Sequence, residues 1–173
     1  MTGRLVVVSG LPGVGKTSIA EIVAARTRSV HLSIDAVEES ILACGLPSVW
    51  RVGVAAYEAA RAMAEQNLRL GHDVIVDAVN DSEPARQTWR TAASRTGAQV
   101  EFVYLVISDV QEHERRVNGR DRGLAHVGEP SSSDVQRRRT EYAAWSDAVI
   151  EFDTSAQGAD HVSDALVARL GKR

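Results

Sequence analysis

Leu5-Val6-Val7-Val8-Ser9-Gly10-Leu11-Pro12-Gly13-Val14-Gly15-Lys16-Thr17 decides how the rest of the chain is read. Four apolar residues predict a buried strand, the glycines a tight turn, and Ser18-Ile19-Ala20-Glu21-Ile22-Val23-Ala24-Ala25 the apolar spacing of a helix. From Gly10 to Thr17 the spacing fits G-x-x-x-x-G-K-[ST], a phosphate-binding loop. A polyphosphate wrapped by consecutive backbone N–H groups needs small residues, hence Gly10, Gly13 and Gly15. The helix that follows aims its positive end at the same anion. Gly10, Leu11, Pro12, Gly13, Val14, Gly15, Lys16, Thr17 and Ser18 are thus the candidate nucleotide cradle. Lys16 brings a cation to the β- and γ-phosphates, and the Thr17 hydroxyl suits a Mg²⁺ ion that keeps most of its water.

The other 160 or so residues, on the order of one domain, must supply the remainder of the site. The chain has 173 residues, a net charge of −3 and 44% apolar residues, which excludes a disordered or nucleic-acid-coating protein. The single cysteine, Cys44, excludes an internal disulfide and a cysteine-based zinc cage; a small buried apolar side chain is expected there. No long apolar stretch or small-residue cleavage site stands near the N-terminus, so a cytoplasmic protein without membrane contact is expected.

Strand-like runs at 5–8, 30–34, 74–76, 100–107 and 148–152 alternate with helical stretches. This predicts one α/β domain over residues 1–173, a three-layer sandwich with a mainly parallel sheet of about five strands and helices on both faces. Ligands in such sheets lie beyond the carboxyl ends of the strands. That rule selects 9–17, Asp35, 77–80, Ser108 and 153–155. A helical insertion at about 36–71, broken at Gly45-Leu46-Pro47 and closed by Gly71, would flank the phosphate end. A second helical pair at about 109–145 flanks a polar, glycine- and arginine-rich stretch, 119–130, expected to be a mobile lid. Ser131 to Asp134 offer caps for the helix after it.

Asp35 follows the second strand, where a carboxylate could accept a proton from an attacking hydroxyl or could cap the next helix; position alone leaves both open. Asp77 ends Val74-Ile75-Val76-Asp77, a hydrophobic strand closed by an acid, which suits holding Mg²⁺ directly or through water. Asn80 could bind substrate or cap the next helix. Arg120 and Arg116, with Arg122 behind them, are the lid arginines expected to spread charge over a transferring phosphoryl group. Arg137, Arg138 and Arg139 read as helix surface, with room for one to reach the site. Trp50 and Tyr57 could line a substrate pocket or belong to the core. None of the five histidines has metal-ligand spacing, and none is assigned a catalytic role.

Taken together, the phosphate loop, the acid after strand two, Val74-Ile75-Val76-Asp77-Ala78-Val79-Asn80 with Arg86 downstream, and the arginine-bearing lid resemble the small P-loop kinases. In pattern they are similar to the polynucleotide 5′-kinase domain, chloramphenicol phosphotransferase and the zeta-toxin group. The resemblance implies ATP and Mg²⁺ as cofactors, Asp35 as general base, lid arginines on the transferring phosphate, and a loop after the last strand, 153–156 with Thr154, bordering the adenine. Two departures narrow the acceptor. Val79 stands where the signature carries Thr, and Glu38 stands where polynucleotide kinases carry an arginine for substrate phosphate. An acid there repels a nucleic-acid backbone and suits a hydroxylated or amine-bearing small molecule.

The expected function is therefore transfer of the γ-phosphate of ATP to a hydroxyl of a small molecule, such as an antibiotic, nucleoside or other metabolite. Asp35, Glu38, Asp77, Asn80, Trp50 and Tyr57 are the candidate acceptor contacts. A polynucleotide 5′-hydroxyl kinase is the alternative, disfavoured by Glu38. A nucleotide-dependent binding or switch module without an acceptor is the alternative of another class.

Overall fold

The computed structural model describes residues 2–171. Five strands, β1 (Leu5–Ser9), β2 (Val30–Ser33), β3 (Val74–Asp77), β4 (Val100–Val106) and β5 (Val149–Asp153), form one sheet in the order β2-β3-β1-β4-β5. Every neighbouring pair is parallel. Alternation along β1 divides its side chains between two cores. Val6 and Val8 face Ile19, Val23, Val103, Leu105 and Leu166. Leu5 and Val7 face Ala60, Leu68, Trp89 and Phe102.

Helices α1 (Lys16–Thr27) and α7 (Ala159–Leu170) supply the first layer. The opposite layer comes from α2 (Ile34–Leu42), α3 (Trp50–Arg69) and α4 (Glu83–Thr96). Ala56, Ala60, Ala64 and Leu68 recur every fourth residue of α3 and are each 0% exposed, a stripe of mostly small side chains that lets this helix settle closely. Trp89 of α4 is fully buried behind it. The lid pair is α5 (Val110–Asn118) and α6 (Ser132–Glu141). Ser131 caps α6 reciprocally with Asp134, a capping box.

Parallel pairing puts Ser9, Ser33, Asp77 and Asp153 at the same edge of the sheet, and β2 pairs Ser33 with Asp77 across the ladder. Three details differ from the sequence expectation. Ile34 belongs to α2 rather than to the second strand, because the backbone turns helical straight after Ser33. Cys44 is exposed in the link between α2 and α3, where its Sγ meets the Ser40 carbonyl at 3.4 Å, instead of buried. Past the 153–156 loop, where the sequence reading named no element, α7 packs against α1 through Val162, Leu166 and Leu170. Among the described residues no helix is long and apolar enough to cross a membrane.

Candidate active site

The loop between β1 and α1 is held from four sides. Gly10 has φ +143°, and a Cβ there would lie 2.4 Å from the Leu105 carbonyl oxygen, so only glycine fits. Its N–H donates to the Val79 carbonyl at 3.3 Å. His113 of α5 contacts the Pro12 carbonyl through Nε2 at 2.7 Å, and Thr154 donates to the Val14 carbonyl at 3.1 Å. Arg139 donates to His113 Nδ1 at 2.5 Å, which leaves Nε2 as the protonated nitrogen that bonds Pro12. Burial pushes the His113 pKa down and favours this neutral form.

Lys16 is buried, and its Nζ donates to the Leu11 carbonyl at 3.0 Å. Desolvation lowers its pKa to about 8, against the opposing pull of the Asp35 and Asp77 charges. Burial costs this cation its hydration, and a polyphosphate in the loop would compensate it.

Asp77, at the end of β3, accepts from Thr17 Oγ1 at 2.9 Å on one oxygen and meets His31 Nε2 at 2.6 Å on the other. Ser33 Oγ reaches it at 3.4 Å. A hydroxyl and a carboxylate side by side are hard oxygen donors that fit Mg²⁺, which takes its remaining ligands from water and phosphate. Among the described residues no group of three or more His, Cys, Asp or Glu side chains could hold a metal. The sequence reading passed over His31. Strand periodicity carried the missing signal, since residues 31 and 33 of β2 share a face.

Asp35 is the second residue of α2, where Ser33 holds the cap position without a side-chain cap bond. The Asp35 carboxylate points across to the lid instead: Arg122 Nη1 bonds to its Oδ2, and Arg120 Nη2 lies 3.8 Å away. Both arginines also contact Glu129, at 2.8 Å from Arg122 and 3.8 Å from Arg120. The order expected among the lid arginines is thereby revised. Arg122 is the nearer to Asp35, and Arg116 lies apart, bonded to Glu112 at 2.7 Å and to the Thr154 carbonyl at 3.0 Å.

Two cavities meet at this point. One, of about 740 Å³, runs along the phosphate loop past Gly13, Gly15, Thr17, Ser18, His31 and Arg116. The other, of about 820 Å³, lies between α2, α3 and the start of α4 and includes Pro12, Glu38, Trp50, Tyr57, Asp81 and Arg138. Lys16, Asp35, Arg120 and Arg122 line both. Leu11, Val14 and Thr154 are buried beneath the loop, where they pack or hydrogen-bond rather than line either cavity.

Of the acceptor candidates, Glu38 lines the larger cavity, and burial together with the Asp35 charge raises its pKa. Tyr57 lines it too, its hydroxyl accepting from the Asn80 N–H at 3.2 Å. Trp50 stands at the margin, 74% exposed. Asn80 requires a correction. Its left-handed backbone, φ +53°, coincides with a side chain that is 0% exposed. The amide donates to Ser9 Oγ at 2.9 Å and accepts from Trp89 Nε1 at 2.9 Å, so it joins β1 to α4 and faces neither cavity. Asp81, its neighbour, occupies the wall instead and lies 3.8 Å from Arg138.

Sequence reading also missed the fastening of the lid. The Glu39 carboxylate of α2 accepts the backbone N–H groups of Ala125 at 2.9 Å, His126 at 2.9 Å and Val127 at 2.8 Å, and pairs with His126 Nδ1 at 2.8 Å. These bonds, led by that to His126, hold its pKa down at about 2.

A family model described as an AAA domain matches residues 5–145, and the chain belongs to that family. Its fold is that of solved P-loop kinases. The APS kinase of Mycobacterium tuberculosis, determined with AMPPNP and APS, superposes with a TM-score of 0.73 at 19% identity, covering 99% of both chains. A sugar kinase from Janibacter sp. HTCC2649 gives 0.71 at 19% identity over 98% of this chain and 95% of its own. The tunicamycin resistance protein of Deinococcus radiodurans gives 0.66 at 16% identity over 98% and 96%. No curated protein matches the sequence.

Proposed function

We propose that the protein is an ATP-dependent phosphotransferase that moves the γ-phosphoryl group to a hydroxyl of a small molecule, with Asp35 as general base. The observation that carries this reading is the meeting of two cavities at Lys16, Asp35, Arg120 and Arg122. The phosphate-loop cavity takes ATP, with its γ-phosphate toward Lys16, and the larger cavity takes the acceptor. The acceptor oxygen forms a bond to the γ-phosphorus as the bridging P–O bond to ADP breaks, and its proton passes to Asp35. Lys16, Arg120 and Arg122 bear the charge of the transferring group and exclude water. Mg²⁺ held by Thr17 and Asp77 would add electrostatic stabilisation of the phosphates.

Several solved relatives of the fold, a sugar kinase and an APS kinase among them, are named for small-molecule phosphorylation. An acceptor wall bearing Glu38, Glu58 and Asp81 also suits a small molecule better than a nucleic-acid backbone. Use of ATP fits a cytoplasmic setting. The test is an ADP-release screen over sugars, nucleosides, antibiotics and 5′-hydroxyl oligonucleotides, run beside Lys16→Ala. Acceptor-dependent ADP release abolished by that substitution supports the reading. Acceptor-independent release alone, with a protein partner captured only in the ATP state, would replace it with a switch.

A further inference from the structure

The carboxylates around the acceptor cavity are paired with arginines except at one position. Asp35 and Glu129 share Arg120 and Arg122. Asp81 has Arg138 at 3.8 Å, and Glu58 has Arg61 at 2.6 Å. Glu38 alone of these wall carboxylates has neither a hydrogen bond nor an ion pair among the described residues. It stands one helical turn beyond Asp35, and such i, i+3 neighbours carry Cβ atoms about 5–6 Å apart on one helix face. Its Oε1 lies 3.8 Å from where a Cβ of Gly53 would stand, so the carboxylate rests against the start of α3, where glycine leaves room. Leu42, Trp50 and Val54 add apolar surface to the same cavity.

Resting on the phosphotransferase reading, we infer that the acceptor carries a cationic nitrogen near the hydroxyl that is phosphorylated, and that Glu38 receives it. Burial and then the Asp35 charge raise the affinity of this half-buried carboxylate for a proton, and the charges of Arg138 and Arg122 offset them only in part. An ammonium group between Glu38 and Asp35 relieves both the desolvation and the like-charge repulsion. A phosphate, sulfate or carboxylate at the same point would meet an acid in place of a donor. The acceptor class is therefore an amino alcohol built on a larger, partly apolar frame: an amino sugar, an aminocyclitol or an amino-substituted nucleoside.

The experiment uses matched acceptors, each as the free amine and as its N-acetyl derivative: glucosamine, an aminocyclitol antibiotic and an amino-deoxynucleoside, assayed by ADP release and product mass. The free amine should be the better substrate. Glu38→Gln should raise its KM about 10- to 100-fold, the worth of a charge-assisted hydrogen bond, while changing kcat much less. Glu38→Asp should recover part of the preference, which a merely structural role would not produce. Turnover of the N-acetylated acceptors equal to that of the amines, with Glu38→Gln unchanged, overturns the inference and leaves the phosphotransferase reading standing. No turnover of any amine, while an uncharged acceptor from the wider screen is phosphorylated, likewise overturns the inference alone, whereas ADP release that no acceptor in either set stimulates overturns the phosphotransferase reading with it.

Discussion

Arg122 of the lid rests on the carboxylate of Asp35, so the acid shared by the two cavities is covered by the charge that would later face the γ-phosphate. Neither group is free in this arrangement. On the proposed reading, an incoming phosphoryl group would draw Arg122 away and release Asp35 toward the acceptor, so that nucleotide arrival would expose the base.

That coupling makes Asp35→Asn informative. The variant should bind ATP with little change and lose roughly 10²-fold or more in acceptor turnover, the scale of a general base. Isothermal titration with a non-hydrolysable nucleotide, beside steady-state kinetics, separates the two effects. Undiminished turnover would remove Asp35 from catalysis.

Lys16 gives a pH signature. With its pKa at about 8 in the free protein, phosphate binding should raise that value. Nucleotide affinity should then be flat below pH 8 and fall above it by up to about tenfold per unit, as the free protein loses the proton that the complex retains. Burial of the cation has a matching effect on folding. The folded pKa lies below the unfolded 10.5, so the unfolded chain binds more protons between about 8 and 10.5, and this group's contribution to stability rises with pH across that window. Lys16→Arg should flatten the affinity profile.

Glu39 should act on the lid alone. Glu39→Gln replaces a carboxylate that accepts three backbone N–H groups by an amide with one acceptor oxygen. Hydrogen exchange of the amides of residues 125–127 should quicken several-fold while the core strands stay protected. Because the Glu39 pKa is depressed to about 2, the latch is complete above the ordinary value of 4.5 and weakens as pH falls toward 2. Unchanged exchange in the variant would show that the lid is held from elsewhere.

Asn80→Ala separates framework from substrate contact. The substitution strands the Trp89 indole N–H, a buried donor, and a cost of about 1–3 kcal/mol in stability is expected. Calorimetric melting should register it, with acceptor KM nearly unchanged in the folded fraction. A KM effect without a stability effect would return Asn80 to the acceptor site.

The parts of the site written in contiguous sequence were legible, and those assembled across the chain were not. Gly10 to Thr17 could be read because a loop wrapping phosphate imposes its residue types at fixed offsets. Asp35 and Asp77 could be found because parallel strands deliver their ends to one edge. Glu39 could not, since its partners lie at residues 125–127 and no local spacing encodes the meeting. Asn80 misled for the opposite reason. It follows Asp77 closely in sequence, but the peptide turns left-handed there and the side chain goes into the core. The arginines were hard to rank because Arg116 sits on α5 and reaches the β5 loop, whereas Arg120 and Arg122 lie in the loop beyond the helix end and reach Asp35, which spacing alone does not encode.

Arg86 is fully buried, donates to the carbonyls of Asn80, Ala143 and Ala144 at 3.0, 2.6 and 2.7 Å, and lies 3.8 Å from the ring centroid of Trp145. It pins the chain leaving α6 as firmly as His113 pins α5 to the phosphate loop. One root is thus fastened to α4 and the other to the phosphate loop, and the stretch 119–130 between the two helices is tied to α2 through Asp35 and Glu39. On the proposed reading, ligand exchange would be the lifting of a short tongue of chain, its speed set by how readily α2 lets go.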